Sequence, residues 1–144
     1  MIDFYIKKEL TISDIYSFIS YISNNSNDRV LVLTQDELEY FPNTLDLSDI
    51  NCLCVYKKAY GDAAIFINLY RLKADLNKLI NNINIYSINN KIPCYVPYDD
   101  FDGYILTGLS KEPIEMRRIY LEEGEEQDEE YLIFIPKDIN SPLY

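Results

Sequence analysis

The residue types that carry most enzyme chemistry are thinly represented in this chain. It has no histidine among 144 residues. That removes Ser-His-Asp and Cys-His arrangements, imidazole metal ligation and the usual general base at neutral pH. Three thiols remain, Cys52, Cys54 and Cys94. Cys52 and Cys54 lie two apart in Ile50–Tyr56, which reads as a strand, so both point to one face. With Cys94 they offer at most a three-thiolate zinc site lacking its fourth ligand, and small buried hydrophobes account for them better. An odd, sparse set also differs from a secreted disulfide framework.

Two further constellations fail on spacing. Asp100-x-Asp102-Gly103 matches the middle of a calcium loop, but its first and twelfth positions fall on Tyr98 and Leu109, where carboxylates are required. The four glycines, at 61, 103, 108 and 124, form no G-x-G-x-x-G or G-x-x-x-x-G-K-[ST] loop. A glycosidase-type carboxylate pair carries no information among 24 acidic residues, where pairs are inevitable. The sequence therefore reads as a non-enzyme that needs no metal or cofactor.

The same residues make better sense as binding chemistry. Seven of the nine residues from 122 to 130 are acidic: Glu122, Glu123, Glu125, Glu126, Asp128, Glu129 and Glu130. Such a run is either a solvated loop that aids solubility or a ligand for a basic surface. A cleft built to grip phosphate would accept a row of carboxylates in its place. A second segment, Tyr98, Asp99, Asp100, Phe101, Asp102 and Tyr104, mixes aromatic area with carboxylates. It reads as a turn entering a strand at Gly103, or as a surface that recognises Lys and Arg. Fourteen tyrosines against six phenylalanines exceed what a small core can satisfy, so many should be partly exposed.

Charge narrows the partners. Thirteen basic against 24 acidic residues give a net charge of −11. A phosphate-tracking nucleic-acid binder is excluded as a first reading, since each phosphate contact wants a cation. No run approaches the ~18 apolar residues of a membrane helix and no signal peptide is visible, so the expected location is the cytoplasm.

The elements that must position these segments read as one α+β domain over residues 1–144. Ile2, Phe4 and Ile6 alternate with polar neighbours as a half-buried strand. Thr11 and Asp14 cap a helix whose stripe is Ile12, Ile15, Ile19 and Ile22. Val30–Leu33 is continuously apolar, which predicts a strand in the middle of the sheet. Thr34-x-x-Glu37 caps a short helix over 36–40. Strands follow at 50–56 and 63–70, turned at 59–62. A second amphipathic helix over 73–85 presents Leu72, Leu76, Leu79, Ile80 and Ile83 on one face. Strands are then expected at 95–96, 104–107, 116–121 and 131–135, the last two forming a C-terminal hairpin around the acidic run. The pattern predicts a mostly antiparallel mixed sheet, helices on one face and one early βαβ-like crossover. Ile15, Ile19, Val32, Leu76 and Ile80 are the expected core.

Over its full length, with the acidic 122–130 run and the 98–104 segment, the chain resembles the immunity proteins of bacterial contact-dependent inhibition and related polymorphic toxin systems. That resemblance implies a cytoplasmic inhibitor whose partner is a cognate basic toxin domain, often a nuclease, blocked at or beside its active site. Two other classes fit the composition. A DNA-mimicking inhibitor would array its carboxylates at phosphate-like spacing over one face. A structural or adaptor module would bind through an apolar patch.

Overall fold

The computed structural model describes residues 2–40, 46–98, 103–120 and 130–137. Among the described residues eight strands and three α-helices follow in chain order: β1 (Ile2–Ile6), α1 (Ile12–Ser23), β2 (Val30–Thr34), α2 (Gln35–Tyr40), β3 (Cys52–Gly61), β4 (Ile65–Tyr70), α3 (Leu76–Asn90), β5 (Cys94–Pro97), β6 (Gly103–Thr107), β7 (Ile114–Ile119) and β8 (Glu130–Pro136). Caps set the first two helices as their sequences require. The Thr11 hydroxyl accepts from Asp14 N–H while the Asp14 carboxylate accepts from Thr11 N–H. Thr34 and Glu37 repeat the exchange at α2. Both pairs satisfy N–H groups that a helix start leaves orphaned.

The strands form one mixed sheet in the order β2-β3-β4-β1-β5-β6-β7-β8. β2 and β3 are adjacent and parallel, joined through α2, which is the early crossover the sequence predicts. Every other neighbouring pair is antiparallel. The sheet then curls until the start of β8 pairs in parallel with the end of β3, Ala59 with Glu130 and Gly61 with Leu132. Seven strands thus close into a ring, and only β2 stays outside it.

The pleat divides the core in two. On the outer face Phe4, Ile6, Cys52, Cys54, Ile67, Leu69 and Cys94 pack against Ile15, Phe18, Ile19 and Ile22 of α1 and Leu79 and Ile83 of α3. Inside the ring Tyr5, Tyr95, Tyr104, Leu106, Met116, Leu132 and Phe134 fill the lumen. Tyr95 and Phe134 stack there with ring centroids 3.8 Å apart. A third cluster, Leu33, Leu53 and Val55 with Leu38 and Leu47, lies under α2 on the face opposite α1.

Three expectations need correction. β2 is an edge strand, not a central one. It is continuously apolar because α1 covers Val30 and Val32 while the α2 cluster covers Leu31 and Leu33, so two-sided burial comes from helices rather than a second neighbouring strand. Its outward N–H groups are also occupied: Val30 donates to Asn27 O, Val32 to Tyr16 Oη and Thr34 to Glu37 Oε1. The helices are accordingly not all on one face. Finally, Leu76 is 52% exposed. The Asp75 carboxylate accepts from Asn77 N–H and starts the helix there, so Leu76 opens its first turn, and the buried stripe is Leu79, Ile83 and Ser87, with Ile80 partly buried beside it.

Candidate protein-binding site

The strand directions fix where the two connections that carry the acidic segments begin and end. β5 and β7 run the same way, each antiparallel to β6 between them. The β5–β6 connection leaves after Pro97 and returns at Gly103; the β7–β8 connection leaves after Ile119 and returns at Glu130. Pro97 pairs with Tyr104, and Gly103 pairs with Arg117. Both connections therefore spring from the same end of the sheet, on adjoining strands.

Asp99, Asp100, Phe101, Asp102, Glu122, Glu123, Glu125, Glu126, Asp128 and Glu129 lie outside the described residues. The described ends of the two segments behave differently from one another. Tyr98 is half-buried and tied down: its N–H donates to Gly103 O at 3.2 Å, and Lys137 Nζ donates to its hydroxyl at 2.9 Å. Because Lys137 follows β8 and Tyr98 follows β5, this contact bridges the two strands between them. Tyr104, expected at the binding surface, is only 7% exposed and belongs to the lumen. Its ring meets Phe134 edge-on with centroids 5.0 Å apart. Burial raises the Tyr104 phenol pKa, opposed by a hydrogen bond and charge from Arg118. Glu130 opens β8 opposite Ala59.

Sequence reading missed the cations at the root of these connections. Arg117 buries Nε and Nη2 without a hydrogen-bond partner. Arg118 Nη1 donates to Tyr5 Oη at 3.1 Å. Its guanidinium sits 5.8 Å from the Tyr5 ring and 4.6 Å from the ring of Tyr120. Tyr5 stacks on Phe66 at 4.7 Å, and Lys57 Nζ lies over Phe66 at 5.4 Å. Lys57, Phe66, Tyr5, Arg118 and Tyr120 form a ladder from β3 across the lumen to the exit of β7. The signal was the alternation Met116, Arg118, Tyr120, which puts an arginine on a buried face that then needs an aromatic or hydroxyl partner.

The thiols do not converge. Cys52, Cys54 and Cys94 are all fully buried on the helix-facing side. β4 and β1 separate β3 from β5, and the register sets Cys94 a further four residues along the strands from the level of Cys54, too far for one zinc ion to take all three thiols. Burial pushes Cys52 up to about 11 and Cys94 up to about 12, and raises Cys54 further. Among the described residues no group of three or more Cys, Asp or Glu side chains gathers to hold a metal ion, and no helix is long and apolar enough to cross a membrane.

No protein-family model matches the chain, and no curated protein or solved structure matches it significantly.

Proposed function

We propose that this chain is an acidic protein-binding inhibitor, an immunity protein that neutralises a cognate basic toxin domain in the cytoplasm. A nuclease is the toxin class that fits best, because a cleft evolved to hold phosphates also holds carboxylates. One observation carries the reading: the strand ends that flank the two acid-rich segments, 24 residues apart from Tyr98 to Glu122 in sequence, adjoin one another at one end of a single sheet. Dispersed solubilising charge has no reason to collect there. In this reading the carboxylates act as a local field that steers a cationic partner during encounter.

The test is co-expression with the protein encoded directly upstream, the position of a toxin relative to its immunity gene. The expected result is a one-to-one complex whose association slows steeply with added salt, together with rescue of growth when the upstream protein is toxic alone. Failure to form a complex, with growth unchanged by the presence of this chain, refutes the proposal.

A further inference from the structure

We propose that the hollow between α3 and the β5–β6 pair binds a small, neutral, flat heterocycle, a property independent of the inhibitor reading. From its middle onwards α3 sits close on the sheet. The Thr107 hydroxyl donates to Asn84 Oδ1, and one turn later the Ser87 hydroxyl donates to Cys94 Sγ at 3.4 Å. Towards the helix N-terminus a space of about 210 Å³ opens, walled by Ile80, Val96 and Ile105 and by the carboxamides of Asn77, Asn81 and Asn84. Val96 and Ile105 are direct cross-strand partners, so they form one apolar wall. The three asparagines follow at spacings of four and three, which sets them on one helix face. The face that a helix turns to a sheet is ordinarily apolar. Here it carries amides.

Size, charge and polarity define the occupant. An apolar cavity of ~150 Å³ takes one benzene ring, so this space takes a single ring with its substituents. The chain has 24 acidic and 13 basic residues, yet among the described residues none of them lines the space. A charged ligand would find no counter-ion there, which selects a neutral one. Thr107 is only 2% exposed, and its hydroxyl fixes Asn84 through Oδ1. The Asn84 Nδ2 is thereby turned away from Thr107, with its donors unspent among the described residues. The carboxamides of Asn77 and Asn81 make no hydrogen bond among the described residues either. A carboxamide presents a donor beside an acceptor, the complement of a ring edge that does the same, as asparagine shows with N6 and N7 of adenine. Apolar walls for the ring faces and amides for its edge are the usual division of labour in a small-molecule site. A cyclic amide or a free nucleobase has that chemistry.

The experiment titrates the isotope-labelled full chain with uracil, nicotinamide and adenine, and with toluene and N-acetyl-leucinamide as contrasts, reading backbone amide shifts by NMR. At least one heterocycle should give saturable shifts confined to α3, Val96, Ile105 and Thr107, with Kd of about 1 mM or lower. Toluene, which has the ring without the polar edge, should bind ~10-fold more weakly or worse. Asn81→Ala, at an exposed position, should weaken the heterocycle about threefold or more. Ile105→Phe, which fills the space, should abolish binding, with native folding of both variants checked from their own amide spectra. The proposal is overturned if none of the three heterocycles gives saturable shifts, if toluene binds as tightly, or if binding survives unchanged in folded Asn81→Ala. Preferential binding of N-acetyl-leucinamide also overturns it, since the space would then be a socket for another protein's side chain.

Discussion

Gly61→Ala should break the closure of the sheet, and its effect can be worked from the contacts at that point. Gly61 has φ of +79°, and a Cβ built there would lie 2.3 Å from the backbone oxygen of Leu132. Alanine in the left-handed region is disfavoured by roughly 1–2 kcal/mol. The clash is with backbone, so no rotamer relieves it; β8 must move away by about 1 Å to restore normal contact. Beyond the β3–β8 ladder itself, two hydrogen bonds cross this seam. Asp62 N–H donates to Leu132 O at 2.8 Å, and Phe134 N–H donates to the Asp62 carboxylate at 2.8 Å. A neutral bond contributes about 0.5–1.5 kcal/mol and one to a charged acceptor about 1.5–3 kcal/mol. The combined loss is roughly 3–6 kcal/mol, a large share of the ~5–15 kcal/mol that holds a domain together. Urea unfolding followed by circular dichroism measures it directly. Asp62→Ala, which removes only the Phe134 bond, should fall about 1–3 kcal/mol below wild type. A Gly61→Ala protein within about 0.5 kcal/mol of wild type would show that the β3–β8 pairing carries no weight in the fold.

Leu79→Ala should lower stability by about 2–5 kcal/mol, whereas Leu76→Ala, at an exposed helix start, should change it by less than about 0.5 kcal/mol; chemical denaturation separates the two. The buried thiols make stability fall in alkali. The unfolded chain ionises its cysteines above pH 9, while Cys52 stays protonated to about 11 and Cys94 to about 12, so protons must leave on unfolding and the urea midpoint should drop between pH 9 and 11. Below pH 9 that contribution is constant. Replacing Glu125 and Glu126 by Gln should leave the melting temperature unchanged but slow association with the partner and flatten its salt dependence, read by stopped-flow at two ionic strengths.

What the sequence discloses is chiefly local. Thr11 with Asp14 and Thr34 with Glu37 announce two helix starts because the capping exchange spans only three residues. The alternation of Ile2, Phe4 and Ile6 gives β1 directly, and the period-2 pattern after residue 90 gives the C-terminal strands. What it conceals is set by distant partners. The apolar run Val30–Leu33 reads identically whether strands or helices cover it, so its place at the edge is not legible. Leu76 fits the stripe by spacing, but the Asp75 cap and the sheet beneath decide which turn is buried. Tyr104 sits beside acids in sequence and inside the ring in space, because Tyr104 and Leu106 share the lumen face. Arg118 meets Tyr5, 113 residues away, a pairing that no local pattern encodes. The acidic segments are legible as compositions; that the strand ends flanking them adjoin follows only from strand order.

The occupied donors along β2 bear on how this molecule behaves in a crowded cell. A strand at the border of a sheet normally offers a row of N–H groups on which another chain can crystallise into a shared ribbon. Here Val30, Val32 and Thr34 have each committed that group within the fold. The opposite border is closed in the same way: Phe134 gives its N–H to Asp62, and two residues on stands Pro136, which has none to give. An arriving strand would have to break as many bonds as it made, with ordering entropy still against it. Among the described residues the outward N–H groups of β2 and of Phe134 are thus spent inside the fold, which disfavours the addition of a further strand at those margins.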